Sequence, residues 1–109
     1  MESYKKDRRM IVINIANDFS DAPGARYYTD GNYSGESFRE ELLVPAFESN
    51  EDITINLDNT EGYATSFLEE SFGGLARKYN KTDVLKRITF ISDEDPALIE
   101  EIISYIKEA

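Results

Sequence analysis

Strand-like and helix-like segments alternate along this chain, and that alternation limits its fold more than any other feature. Arg9 to Ile15 is a near-continuous apolar run rich in β-branched residues, the pattern of a strand buried on both faces. Ile53 to Leu57 alternates as a second strand does, and Arg87 to Ile91 reads as another. Ala25 to Thr29 predicts a further short strand, set off by turn residues from Asp18 to Gly24 and ended by Asp30-Gly31-Asn32. The natural pairing for it is a hairpin with the first strand. Between these runs the apolar period becomes helical. Phe38, Leu42, Leu43, Ala46 and Phe47 share one face, behind Ser34 or Ser37 as cap; Ser37 and Glu40 have capping-box spacing. Pro45 lies inside this pattern and should kink the helix or tighten its last turn. Phe67 to Tyr79 predicts a helix with Phe67, Leu68, Phe72, Leu75, Ala76 and Tyr79 inward, and Ser66 with Glu69 as a second capping box. Asn80 to Asp83 reads as a polar break. Asp95 caps a last helix with Pro96 at its first position and Leu98, Ile99, Ile102, Ile103 and Ile106 as its stripe. The order is β-β-α-β-α-β-α, which implies an α/β fold with parallel neighbours and one antiparallel pair.

With 109 residues the chain supplies one hydrophobic core, and residues 9–109 read as a single domain behind a flexible arm of residues 1–8. No apolar run approaches the about 20 residues of a membrane span, and no apolar stretch of a secretory signal follows the charged start. The chain has no cysteine and no histidine. That removes disulfides, thiolate and Ser-His-Asp nucleophiles and the usual zinc ligands, and it leaves a catalyst only carboxylates, Lys, Arg, Tyr, Ser or Thr. The expectation is therefore a non-enzyme with no cofactor and no metal. A cysteine-free chain also suits the cytoplasm. The net charge is −10, although Lys5, Lys6, Arg8 and Arg9 crowd the start, so the remainder is more acidic still. Such a surface repels nucleic acid and anionic membranes and favours basic partners.

Ligands of open α/β sheets collect beyond the carboxyl ends of the strands. The segment Leu57 to Gly74 holds that position. Within it Asp58, Glu61, Gly62, Tyr63, Thr65, Ser66 and Phe67 are the candidate contact residues for a partner or ligand. Asn14, Asn17 and Asp18 could join them from behind the first strand. A hydroxyl at a helix start meets unpaired backbone N–H groups, so a phosphate on Ser66 would be stabilised there; equally, Ser66 could be an ordinary N-cap. Gly73-Gly74 inside a helix suggests close approach of another element or a partner. Asp58 at a strand end invites comparison with phospho-accepting receiver domains, but the acidic pair and late Lys those need are missing. A divalent cation held by Asp58, Glu61, Glu69 and Glu70, or catalysis by Asp58 and Glu61, is the remaining chemistry; Glu69-Glu70 also reads simply as a complement to a helix dipole.

Leu57-Asp58, a short loop, the adjacent hydroxyls Thr65-Ser66 and an immediate helix resemble the STAS domain of anti-sigma factor antagonists. The chain is more similar to the STAS-like family of uncharacterised bacterial domains. That resemblance lies in Tyr33-Ser34-Gly35-Glu36 with Phe38-Arg39-Glu40, and in Gly62-Tyr63 through Ser66-Phe67-Leu68 with Phe72-Gly73-Gly74-Leu75, within residues 10–105. It implies a small mixed sheet with helices packed on it, and a signalling role as an anti-sigma factor antagonist-like protein–protein interaction module. In the antagonists, a histidine-kinase-like ATPase phosphorylates a Ser at the helix start within an Asp-Ser-Ser pattern, and phosphorylation blocks binding to that kinase. Here the pattern falls on Ala64-Thr65-Ser66, making Ser66, with Thr65 beside it, the phosphoacceptor the resemblance implies. Ala64 replaces the Asp, Phe67 replaces a Gly, and the loop is about one residue shorter. The alternative is a module that binds a nucleotide or another anion at the same helix N-terminus.

Overall fold

The computed structural model describes residues 9–109; the arm expected over residues 1–8 lies outside the described residues. Three parallel strands, β1 (Met10–Asn14), β2 (Asp52–Asn56) and β3 (Ile88–Ile91), lie in the order β1-β2-β3. Met10 to Asn14 register with Asp52 to Asn56, and Ile53 to Asn56 with Ile88 to Ile91. Side chains alternate across a strand, so the register stacks Ile13, Ile55 and Phe90 on one face and Val12, Thr54 and Thr89 on the other. The first face meets the helices and forms the core with Phe38, Leu43, Phe72 and Leu75. On the other, Met10 and Val12 remain about three-fifths exposed (61 % and 60 %). The first strand is thus an edge strand buried on one face, not on both as its composition suggested. Its unbroken apolar run reflects Ile11 and Ile13 facing the core, with Met10 and Val12 left outside.

The sheet is wholly parallel, because the expected strand over Ala25–Thr29 does not form. Ala25 takes a positive φ of 74°, which breaks an extended run, and Tyr28–Asp30 coil into a 3-10 turn. The hydrogen-bonding groups of this segment serve a helix instead: the Ala25 and Arg26 carbonyls accept from the Gly35 and Glu36 N–H groups. Those donors are orphaned at any helix start, so the loop acts as a backbone cap. A one-turn helix α1 (Ile15–Asp18) follows β1, capped by Asn14, whose side chain accepts from the Asn17 N–H.

Helix α2 (residues 35–48) is capped by the Ser34 hydroxyl, which accepts from the Ser37 N–H at 3.0 Å. Helix α3 covers residues 65–78. Each contains a π turn: Arg39–Leu43 in α2 and Glu69–Gly73 in α3, where Val44 and Gly74 donate to carbonyls five residues back. In α2 the wide turn sits directly before Pro45. Pro has no N–H for the carbonyl four residues earlier and its ring would collide with it, so a widened turn lets the helix continue through the proline. Ahead of β3, Lys81–Arg87 form helix α4, where the sequence reads as a polar break. Asn80 caps it by accepting from the Thr82 and Asp83 N–H groups, and Val84 is its one buried residue. Helix α5 (Ala97–Lys107) buries Ile102 and Ile106 and starts one residue later than expected, with Pro96 at the cap position.

The two long helices touch through glycine. A Cβ on Gly35 would sit 2.6 Å from the Phe67 carbonyl oxygen and 2.9 Å from Glu70 Cβ. At Gly74 the absent Cβ makes room for the Arg39 guanidinium. Gly35→Ala is therefore expected to lower stability by about 1–3 kcal/mol, since a backbone carbonyl cannot move aside. Gly73→Ala meets only the ends of Glu69 and Arg77, both flexible, and should be neutral or stabilising by up to about 1 kcal/mol. Urea unfolding midpoints of the two variants, compared with the parent, check this; equal losses would remove the close approach as the reason for Gly35.

Candidate functional site

Beyond the carboxyl ends of β2 and β3, two loops and the start of α3 enclose a cleft of about 310 Å³. Asp58, Glu61, Gly62, Tyr63 and Thr65 line it from the β2–α3 loop. Ser92, Glu94 and Asp95 line it from the β3–α5 loop, and Leu98 and Glu101 from α5. The second loop and α5 were missed in the sequence. The readable signal was that β2 and β3 are neighbouring parallel strands, so their following loops must share one edge.

Asp58 holds the two loops together. One carboxylate oxygen accepts from the Glu94 N–H at 3.0 Å and the other from the Asp93 N–H at 3.2 Å, while the Glu94 carboxylate accepts in return from the Asn59 N–H at 2.9 Å. A carboxylate engaged in this way clamps the β2–α3 loop to the β3–α5 loop. Asn59 and Gly62 both have positive φ, 71° and 134°, and these two reversals turn the chain back toward α3. Tyr63 then folds under the loop and donates its hydroxyl to the Leu57 carbonyl at 2.8 Å. Burial pushes the Tyr63 phenol up to about 12. The Glu61 N–H donates to the Asp21 carbonyl, tying the site to the loop after α1. Asn14 and Asp18 are occupied within α1, where Asp18 accepts from the Asn14 N–H, and do not line the cleft.

The hydroxyls at the start of α3 are not caps. Ala64 occupies the cap position and offers no side-chain oxygen; Thr65 and Ser66 are the first two helical residues. The capping box expected from Ser66 and Glu69 is absent, and Glu69 instead pairs with Arg26 and Arg77, each at 2.7 Å. The Arg77 hydrogen bond first, and then Arg26, hold its carboxyl below the usual range. Thr65 is exposed and on the cleft; Ser66 is half-buried and beside it. Phe67, expected as a contact residue, is fully buried on Phe38, Phe19 and Tyr63, so it supports the loop from beneath. Glu70 pairs with Arg39 and Arg26. Glu69 and Glu70 thus do not join Asp58 and Glu61, and among the described residues no group of three or more carboxylates is placed to hold a metal ion. The cleft lining, among the described residues, has five carboxylates and no Lys or Arg, which disfavours an anion there. Among the described residues no helix is long and apolar enough to cross a membrane.

Two outcomes follow. Ala64→Asp supplies the missing cap oxygen at a residue already in extended geometry, and should raise stability by about 0.5–2 kcal/mol in urea melts; no gain would mean the Thr65 or Ser66 hydroxyl already serves those N–H groups. For Tyr63, the folded chain keeps a proton that the unfolded chain releases near pH 10. Unfolding free energy should therefore fall as pH rises from 10 toward 12. Tyr63→Phe should make that fall shallower, and a slope unchanged by the substitution would place the effect elsewhere.

Residues 34–98, more than half of the chain, match the family described as STAS-like domain of unknown function. No curated protein and no solved structure gives a match. The match spans α2, β2, α3, α4 and β3, including the glycine contact and the β2–α3 loop, and the chain belongs to this family of STAS-like domains.

Proposed function

We propose that the chain is a non-catalytic, cytoplasmic regulatory module that docks a protein partner on the β2–α3 loop and the first turns of α3. The partner class that the likeness to anti-sigma factor antagonists suggests is a histidine-kinase-like ATPase. The observation that carries the reading is the capping residue: Ala64 leaves the Thr65 and Ser66 hydroxyls outside the cap. A hydroxyl used as a cap is committed to the backbone; these two are not at the cap position, and the Thr65 hydroxyl meets the Tyr105 side chain of α5 instead. Thr65 lies on the acidic cleft itself. A phosphate on either hydroxyl would be favoured by the helix start but would stand near Glu61 and Glu101, which line the cleft with Thr65. The consequence is a change in the sign-sensitive part of the docking surface with the fold left intact.

Full-length wild-type, Ser66→Ala, Ser66→Glu and Thr65→Glu proteins serve as baits in a host lysate, with circular dichroism to establish that each is folded. Retention of a partner by the first two and about tenfold weaker capture by either Glu variant is the expected result. Equal capture by all four removes the switch and keeps the docking module. Capture by none, with all four folded, overturns the reading.

A further inference from the structure

Beyond the cleft, we infer that the loop before α2 and the exposed side of α2 form a second docking surface, built from Tyr27, Tyr28, Glu36, Glu40 and Glu41, for an arginine-bearing basic segment of a partner protein. Tyr27 and Tyr28 are consecutive and half-exposed, at 47 % and 48 %. Exposed tyrosines are the side chains most enriched at interface hot spots, because each presents a large rigid face at small entropic cost. They are held rather than loose. The Tyr27 N–H donates to the Asp30 carboxylate at 3.2 Å, and the Tyr28 N–H donates to the Glu36 carboxylate at 2.9 Å. Glu36 and Glu40 are four apart on α2, and Glu41 follows within the π turn. Burial and then Glu41, Glu36 and Glu40 raise the Tyr28 phenol above its ordinary value, against the opposing charge of Arg39.

Two arginines of the chain reach the edge of this surface: the Arg26 guanidinium lies 6.0 Å from the Tyr27 ring centroid and Arg39 pairs with Glu40 at 2.9 Å, which leaves the Tyr28 ring with Glu36 and Glu41 as its open part. Arg39 binds Glu40 and reaches under α3 to Glu70, and Arg26 binds Glu69 and Glu70. Among the described residues neither Glu36 nor Glu41 pairs with a cation; Glu36 accepts from the Tyr28 N–H and Glu41 from the Ser37 hydroxyl. Aromatic faces with carboxylates beside them suit a guanidinium, which stacks on the ring while its N–H groups meet the acids. An anionic partner would face three carboxylates, and a purely apolar one would bury them.

The probe is a hexa-arginine peptide titrated into the ¹⁵N-labelled full chain and followed by amide shifts. Shifts confined to residues 27–41 are expected, with binding about fivefold weaker in Tyr28→Ala and retained in Tyr28→Phe, which keeps the ring. If Tyr28→Ala does not fold, Glu41→Gln, at an exposed position, should weaken binding instead. Shifts centred on Asp58 to Glu61 and Glu94 to Glu101, or affinity unchanged in Tyr28→Ala or Glu41→Gln, would overturn the inference. Neither readout depends on Ser66 or Thr65, so this surface can fail while the cleft reading stands.

Discussion

Gly35 opens α2 with its backbone against α3, and the rest of the arrangement depends on that contact. The Phe67 carbonyl and Glu70 Cβ occupy the space a side chain would take, and the Ser71 hydroxyl donates to the Gly35 carbonyl at 3.3 Å. One turn further on, Arg39 crosses between the helices. Its guanidinium donates to the Glu70 carbonyl at 2.9 Å and the Glu70 carboxylate at 2.7 Å, both partners being only about one-eighth exposed (13 % and 12 %). The Arg39 side chain lies where Gly74 has no Cβ. The two π turns contain Arg39 on one side and Glu70 and Ser71 on the other, so each helix is widened where the arginine crosses. Because Phe67 is the third residue of α3, the same contact fixes where the β2–α3 loop must end. The candidate site is therefore set by helix packing about one turn away from it.

Charge is distributed by the same packing. A chain of net −10 has few cations to spare, and Arg26, Arg39 and Arg77 are all consumed by Glu40, Glu69 and Glu70. Half-buried pairs in such a network are screened less than exposed ones, so here the arginines do structural work. Arg87 is committed too: it stacks 4.0 Å over the Phe47 ring and donates to the Phe47 and Glu51 carbonyls, with its Nε left without a partner. Among the described residues, the carboxylates lining the cleft and Glu36 and Glu41 on α2 form no such ion pairs. Both surfaces are acidic in part because Arg26, Arg39 and Arg77 are spent on the helix interface.

The parts of the fold that the sequence made legible are those governed by period. The stripes of α2, α3 and α5 and the three parallel strands could be read because burial demands apolar residues at fixed spacing, and Phe38, Leu43, Phe67, Phe72, Ile102 and Ile106 are all fully buried. What escaped is governed by backbone groups. Ala-Arg-Tyr-Tyr-Thr has strand-like residues, yet its carbonyls are spent on the start of α2 and Ala25 adopts a positive φ. Helix α4 rests on one cap, Asn80, and one buried side chain, Val84, too little for a periodic pattern. Half of the cleft was visible for a similar reason: Asp58 to Thr65 follow one strand in sequence, whereas Glu94, Asp95 and Glu101 join only through the register of β2 with β3.

The start of α3 shows how a local deficit can coexist with a firm fold. A helix whose cap is Ala forgoes a side-chain acceptor that Ser, Thr, Asp or Asn would supply. Nothing in the surroundings forbids one, since Ala64 is exposed and extended. The helix is held instead from its middle, by Phe67, Leu68 and Phe72 in the core and by Gly35 and Arg39 across the interface. With stability supplied there, the first turn is released from a capping duty, and Thr65 stands at the rim of an acidic cleft with Ser66 beside it. A single added charge at that rim would change the charge of the cleft while the packing that defines the domain, one turn deeper, stays out of its reach.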